Sequence, residues 1–200
     1  MGTDISLYLE RKEFGRWVLA APLVPNEEYH LEAPELGPPL RPKEIYSGRH
    51  YSLFAILADV WNPCRSDSKY EIISPPRGLP PDLSRELQDW YDSFDHWFSA
   101  SWLSLEELVS FDWKGKTIVK KAMVEERFAR LFGEETREFP YDTWPKDEPV
   151  SYGSQMRDGV EVKWTETYYE SAGTEFTRIL EELKGSCPPG TARLVFWFSA

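Results

Sequence analysis

The fold is decided by the stretch Asp4-Ile5-Ser6-Leu7-Tyr8-Leu9-Glu10 near the start of the chain. Apolar side chains stand at every second position, and this period of two is typical of a β-strand. Because successive side chains of a strand point to opposite faces, Ile5, Leu7 and Leu9 are predicted to pack on a core. The opposite face is lined with polar groups and is therefore a candidate functional surface.

Three further segments are predicted to be strands. The turn Glu13-Phe14-Gly15 followed by Arg16-Trp17-Val18-Leu19 predicts a hairpin that returns along the first strand. Alternating apolar residues predict a strand over 160–164, with a further extension to Tyr169. The aromatic segment 192–198 predicts a central strand, because bulky side chains lie on both of its faces.

Helical spacing of apolar residues predicts helices in the intervening segments. The segment 51–61 is apolar nearly all round, which indicates a buried helix. Asp82 is predicted to cap a helix over 83–91, and Ser104 with Glu107 matches a capping box before a short helix to about Ser110. The remaining helices are predicted over 118–132 and 172–185.

These elements predict an α+β fold, with an antiparallel or mixed sheet that includes the N- and C-terminal strands and is covered by several helices. Residues 1–200 are predicted to form a single domain, because no shift in composition marks a second one. The segment 22–42 contains six prolines and is predicted to be an irregular surface excursion. It would serve either as a lid or as a packed surface loop.

The charge of the chain argues against two classes of partner. The formal net charge is −11, which repels both the phosphate backbone of nucleic acids and anionic membrane surfaces. No apolar run approaches the ~18 residues that a membrane helix requires. Asp4 and Glu10 stand where a secretory signal would need a basic residue followed by an apolar core, so a cytoplasmic location is expected.

The sequence lacks the familiar motifs of catalysis and metal binding. It contains no phosphate-binding loop, no Gly-x-Ser-x-Gly elbow and no His-Glu-x-x-His pair. His30, His50 and His96 are isolated, and Cys64 and Cys187 form no Cys-x-x-Cys arrangement. We therefore expect free thiols, no metal site and no cofactor.

Several segments carry a resemblance to a family of uncharacterised bacterial and phage proteins. They are Met1-Gly2-Thr3-Asp4-Ile5-Ser6-Leu7-Tyr8-Leu9-Glu10, Gly48-Arg49-His50-Tyr51-Ser52-Leu53-Phe54-Ala55-Ile56-Leu57-Ala58-Asp59-Val60, Pro76-Arg77-Gly78-Leu79-Pro80, Ser101-Trp102-Leu103-Ser104 and Val195-Phe196-Trp197-Phe198. Family members begin with Gly-Cys-Asp-Ile-His, carry Gly-His-Ser-His-Ser-Trp-Leu in the middle and end with Phe-Trp-Phe-Asp. Such imidazoles and carboxylates would suit a divalent metal or acid–base chemistry on a phosphoester.

This chain departs from the family pattern at the residues that would carry chemistry. Asp4 is retained, whereas Ser6, Phe98, Ala100 and Ser199 occupy the other matching positions. Hydroxyl groups and a phenyl ring cannot replace imidazole as a metal ligand or as a base near neutral pH. The resemblance therefore implies that ancestral catalysis is absent here. It also implies that the first and last strands are neighbours, because only then do these positions converge.

The leading hypothesis is a non-catalytic cytoplasmic binding protein of the phage-accessory type, which holds a phosphorylated or nucleotide-like small ligand or a host protein. A role in counter-defence is implied by the resemblance alone. The predicted ligand-binding residues are Asp4, Ser6, Tyr8, Arg49, His50, Arg77 and Trp102. Arg49 and His50 precede a helix whose exposed amides favour an anion, and the guanidinium of Arg77 offers a bidentate fork.

Two alternatives belong to different functional classes. The first is a phosphoester hydrolase or nucleotide-processing enzyme that uses Asp4, His96 and His50. The second is an acidic inhibitor or immunity protein that acts by protein–protein contact, which the nine tryptophans favour because aromatic residues are enriched at interfaces. We expect Arg49 and Arg77 to face a common cleft beside Asp4, and the alternative for each arginine is an ion pair with a carboxylate.

Overall fold

The computed structural model describes residues 2–30, 37–63, 66, 68–133, 139–153 and 156–200. The described residues form nine strands and six helices. The strands are β1 Asp4–Glu13, β2 Arg16–Leu19, β3 Leu23–Pro25, β4 Leu40–Pro42, β5 Tyr46–Gly48, β6 Phe98–Ser104, β7 Thr117–Glu125, β8 Gly159–Thr167 and β9 Ala192–Ser199. The helices are α1 Tyr51–Ala58, α2 Arg85–Tyr91, α3 Leu105–Ser110, α4 Glu126–Ala129, α5 Tyr168–Ser171 and α6 Thr174–Ser186.

The main sheet is antiparallel and is built around the two terminal strands. β1 pairs with β9 from Asp4 opposite Ser199 to Arg11 opposite Ala192. β6 lies on the far side of β9, while β2 and β5 share the other edge of β1. The α+β fold is therefore confirmed, as is the predicted adjacency of the first and last strands.

The first face of the main sheet carries the largest part of the core. Ile5, Leu7 and Leu9 of β1 pack there with side chains of α1, α3 and α6. Helix α1 is buried from Ser52 to Ala58, as its apolar composition predicts. It ends three residues earlier than predicted, because Asp59 adopts the left-handed conformation that terminates a helix.

The second face of the main sheet is predicted to be a candidate functional surface, but in the structure α2 covers it. Leu87 and Trp90 of α2 pack on this face against Tyr8 and Trp197. Tyr8 and Glu10 are both fully buried as a result. The prediction of Tyr8 as a ligand-binding residue therefore requires correction: its ring belongs to this second layer of the core, where burial raises the pKa of its hydroxyl.

The helix predicted over 118–132 is wrong. The chain instead forms β7, followed by the short helix α4. Ile118, Lys120, Ala122 and Val124 alternate on the buried side of β7, which is a period of two rather than 3.6. The partner of β7 is β8, which confirms the strand predicted at 160–164. The predicted extension to Tyr169 stops at Thr167, because α5 begins at Tyr168.

Two smaller predictions also need correction, and one is confirmed. Asp82 does not cap α2: Ser84 precedes the helix, and Asp82 binds Arg193 at 2.6 Å. The segment 22–42 is not wholly irregular, because β3 and β4 pair within it, although residues 31–36 lie outside the described residues. The capping box of Ser104 and Glu107 is present at the start of α3.

Two further observations concern the helices and the thiols. Among the described residues, no helix has both the length and the apolar character needed to cross a bilayer. Cys187 is a buried free thiol just after α6, whereas Cys64 lies outside the described residues.

Candidate ligand-binding cleft

A cleft of about 420 Å³ lies between the start of α1 and the β7–β8 hairpin. Side chains of α1, β7, β8 and α5 line it together with two tyrosines from the segment between the two hairpin strands. The lining residues are Arg49, His50, Tyr51, Ser52, Lys120, Tyr141, Tyr152, Trp164, Glu166, Glu170 and Ser171. The cleft thus combines ionisable groups with four aromatic rings.

The floor of the cleft contains the ammonium group of Lys120, whose residue is only 6% exposed. The alternation of β7 directs this side chain inward along with its apolar neighbours. Its Nζ donates to the hydroxyl of Ser52 at 2.8 Å and to that of Tyr70 at 3.1 Å. Such bonds are required, because a buried charge without hydrogen-bonding partners strongly destabilises a fold.

A chain of hydrogen bonds continues from Lys120 along one wall. The hydroxyl of Tyr70 donates to Ser171 Oγ at 3.1 Å, and Ser171 donates to Glu166 Oε2 at 2.7 Å. Trp164 Nε1 donates to the other oxygen of Glu166 at 2.7 Å. This series of hydrogen bonds therefore links Lys120 at the floor to β8 and α5, and it fixes the orientation of each polar side chain.

His50 forms the N-cap of α1. Its Nδ1 accepts the backbone amide of Leu53 at 3.4 Å, so its ring hydrogen is carried by Nε2. Burial lowers the pKa of His50, and the charge of Lys120 acts in the same direction. The imidazole thus occupies the amide of Leu53, one of the helix-terminal amides at which an anion site is predicted.

Arg49 lies at the rim and binds Asp4 in a bidentate ion pair. Its Nε and Nη2 lie 3.2 and 2.9 Å from the two carboxylate oxygens. About half of each side chain is exposed, at 51% for Arg49 and 46% for Asp4. The hydrogen bond to Asp4 raises the pKa of Arg49.

Aromatic side chains form the second wall of the cleft. Tyr152 and Trp164 have ring centroids 5.9 Å apart, and Phe139 supports Tyr152 from behind at 5.0 Å. Tyr141, on a short 3-10 helix, also packs on Phe139, yet the residue is 60% exposed. This wall therefore presents the accessible ring of Tyr141, which is supported by the buried ring of Phe139.

The other predicted site residues lie elsewhere. Arg77 forms a bidentate pair with Glu107, with Nη1 to Oε2 at 3.0 Å, and its guanidinium lies 4.8 Å from the ring centroid of Trp102. Neither Arg77 nor Trp102 lines the cleft that contains Arg49. Both predicted arginines thus form the ion pairs that were the alternative to ligand binding.

Ser6 and His96 are also outside the cleft. The hydroxyl of Ser6 donates to Glu44 at 3.2 Å. The exposed ring of His96 packs against Trp97, with centroids 4.4 Å apart. Of the three residues proposed for the enzyme alternative, Asp4 binds Arg49, which precedes His50 in sequence and lines the cleft with it. The contacts of the described residues include none between His96 and Asp4 or His50.

Sequence reasoning missed Lys120, Tyr70, Ser171 and Glu166. The alternation along β7 could have identified Lys120 as an inward-facing residue, but a helix was predicted for this segment. Within the described residues, no three His, Cys, Asp or Glu side chains are grouped so as to hold a metal ion. The chain matches no protein-family model, no curated protein and no solved structure.

Proposed function

We propose that the protein binds a small ligand that combines a flat ring with an anionic group, as a nucleotide does, in the cleft between α1 and the β7–β8 hairpin. The observation that carries this proposal is the presence of the Lys120 ammonium group and a wall of aromatic rings in one cleft. Sequestration of such a ligand would suit the phage-accessory role that the sequence resemblance implies.

The aromatic wall supports a ring-bearing ligand. Tyr141 is 60% exposed, so much of its ring is available for stacking. Stacking of a base on an aromatic side chain contributes about 1–3 kcal/mol and tolerates any base, because every base has a π-face. The cleft volume of about 420 Å³ falls within the range of roughly 300–1,000 Å³ for small-molecule sites.

The charges of the lining support a ligand with both an anion and hydrogen-bond donors. Arg49 and Lys120 are cationic, whereas Glu166 and Glu170 are acceptors. A nucleotide offers a phosphate to the first pair and hydroxyl or amino groups to the second. The net charge of −11 disfavours a long polyanion, because many phosphates cannot all lie beside the two cations of the cleft.

Binding without catalysis is favoured by the state of His50, the imidazole that lines the cleft. Its Nδ1 is engaged by the helix cap, and its lowered pKa makes it a weaker base than free histidine. A ligand in the cleft would therefore contact polar, hydrogen-bonded groups, and His50 would not be positioned to accept a proton from it.

Calorimetric titration with AMP, GMP, CMP and UMP tests the proposal. We expect a one-to-one isotherm for at least one of them, with a Kd between about 1 μM and 1 mM, or roughly −8 to −4 kcal/mol. Tyr141→Ala should weaken binding about 5- to 150-fold, the equivalent of one lost stack. Phe14→Ala is the matched control, because Phe14 is a fully exposed aromatic residue at the β1–β2 turn.

Two outcomes would contradict the proposal. One is the absence of binding heat with all four nucleotides at millimolar concentration. The other is an equal loss of affinity in Tyr141→Ala and Phe14→Ala, because the effect would then not come from the cleft.

A further inference from the structure

We infer that the site continues past the rim of the cleft to Trp61 and that its ligand is a dinucleotide. One base would lie at the aromatic wall, the phosphodiester beside Arg49 and the second base on Trp61. This inference rests on the proposed function and names the class of ligand. The alternative is a ligand with a single ring, in whose binding Trp61 takes no part.

Trp61 is an accessible aromatic residue next to the cleft. It follows the far end of α1 in sequence, yet its indole lies against the ring of Tyr51 at the start of that helix, with centroids 6.4 Å apart. Tyr51 lines the cleft, whereas Trp61 lies outside its lining. Trp61 is 60% exposed, like Tyr141. The indole therefore extends the aromatic surface of the cleft outward on the α1 side.

Several contacts hold Trp61 in place. Its Nε1 donates to Oγ1 of the buried Thr3 at 3.0 Å. The next residue, Asn62, donates to the carbonyl of Tyr70 at 2.9 Å and accepts its amide at 2.8 Å. Trp61 has φ +55°, which a bulky residue retains only where its surroundings enforce it. A ring already fixed in this way loses little conformational entropy when a ligand stacks on it.

Arg49 connects the cleft with Trp61. It lines the cleft and binds Asp4, and the neighbouring Thr3 accepts the hydrogen bond of Trp61. The pair with Asp4 uses Nε and Nη2, so the hydrogens of Nη1 have no acceptor among the described residues. Because the carboxylate of Asp4 offsets part of the positive charge, this position suits the single charge of a phosphodiester better than the nearly double charge of a phosphomonoester.

The order of these groups matches that of a dinucleotide. Tyr141 on the hairpin side and Trp61 on the α1 side each offer an accessible ring, and Arg49 offers a donor at the rim that they share. A dinucleoside monophosphate likewise has a base, a phosphodiester and a second base. Its single phosphate is also compatible with the net charge of −11, which disfavours a longer polyanion.

The test compares the dinucleoside monophosphates ApA, GpG, CpC and UpU with the methyl esters of the matching 5′-monophosphates by calorimetry. Both ligands of a pair carry one phosphodiester, so they differ only in the second nucleoside. We expect at least one dinucleotide to bind about 5- to 150-fold more tightly than its methyl ester, the scale of one base stack. Trp61→Leu should remove this preference and leave the affinity for the methyl ester unchanged.

Trp61→Phe is the matched variant. Both replacements remove the hydrogen bond to Thr3, but only phenylalanine keeps a ring, so Trp61→Phe should retain most of the preference. Phe14→Leu is the control for loss of an exposed aromatic residue elsewhere, and it should change neither affinity.

The outcomes separate this inference from the proposed function. If neither dinucleotides nor methyl esters bind, both are wrong. Methyl esters that bind as tightly as dinucleotides would overturn the second base and leave the cleft as a site for one ring. A preference that survives in Trp61→Leu, or that Trp61→Leu and Trp61→Phe lose to the same extent, would show that the second base does not stack on Trp61. An equal loss of affinity for both ligands in Trp61→Leu would also overturn the inference.

Discussion

The guanidinium of Arg193 lies 2.7 Å from the carboxylate of Glu10, and the two side chains are 3% and 0% exposed. These residues face each other across β9 and β1. Arg193 also binds Asp82 at 2.6 Å, and the second oxygen of Glu10 accepts the amide of Ser84 at 2.7 Å. The pair therefore joins the two central strands to the segment that leads into α2.

Replacement of Arg193 tests the importance of this pair. Arg193→Met should lower the free energy of unfolding by about 3–5 kcal/mol, because it leaves Glu10 as a buried carboxylate without its partner. Urea denaturation measures the change. Arg178→Met is the control, since the Arg178–Glu182 pair is exposed and should contribute less than about 1 kcal/mol. Equal losses in the two variants would contradict a buried, mutually dependent pair.

His50 should make the stability depend on pH. Its pKa in the folded protein is lowered from the ordinary value of 6.5, chiefly by burial. The unfolded chain therefore binds the proton more tightly, and stability is lost as the pH falls below about 6.5 and through the lower folded-state pKa. Urea denaturation from pH 7.5 to 5 should show a smaller loss for His50→Gln than for the wild type.

The matched control for this pH dependence is His96→Gln. His96→Gln replaces an exposed imidazole that lies outside the cleft, so it controls for the change of residue type alone. If the stability of His50→Gln falls with pH as steeply as that of the wild type, the imidazole of His50 titrates alike in the folded and unfolded chains. That outcome would contradict the prediction.

Lys120→Met should destabilise the protein by about 1–3 kcal/mol, because the hydroxyls of Ser52 and Tyr70 would lose a charged donor in a buried setting. Lys69→Met is the control, since Lys69 is an exposed lysine next to Tyr70 in sequence. Thermal melts of the two variants should differ by several degrees. Equal melting temperatures would mean that the floor network contributes little to stability.

Two glycines should respond to alanine with opposite signs. Gly173 has φ +84°, and a Cβ there would lie 2.9 Å from His50 Nε2, so Gly173→Ala should destabilise the protein by about 1–3 kcal/mol. Gly185 lies in α6 with nothing within 4 Å of a new Cβ, so Gly185→Ala should stabilise it by about 0.5–1 kcal/mol. Urea denaturation distinguishes the two, and a stabilising Gly173→Ala would contradict the close packing of His50.

The parts of the fold that could be predicted from sequence are those with local signals. Alternation defined β1, aromatic residues on both faces defined β9, and Ser104 with Glu107 defined the start of α3. The predicted adjacency of β1 and β9 is confirmed. Arg49 and His50 were the predicted ligand-binding residues that the structure places in the cleft.

The remainder depends on contacts between residues that are distant in sequence. Lys120 interrupts the apolar pattern of β7, and its burial is possible because Ser52 and Tyr70 supply hydroxyls from 68 and 50 residues away. Asp82 resembles a helix cap locally, yet its partner Arg193 is 111 residues further along. Local patterns carry no information about such partners, so the floor of the cleft could not be identified from them.

The pairing of β1 with β9 has a consequence for how the chain folds. Glu10 and Arg193 are 183 residues apart, and β9 is the strand that β1 and β6 share as a neighbour. Contacts of such long range close slowly, because loop-closure entropy is lost before the contact forms. Paired residues of β7 and β8 are 34 to 50 positions apart, so this pair closes a much shorter loop than the pairing of Glu10 with Arg193, for which the main sheet needs its central strand. A fragment that lacks residues 192–199 should therefore retain the β7–β8 pair, while the rest of the chain does not form the main sheet. A synthetic peptide of residues 192–199 added to this fragment should restore the sheet.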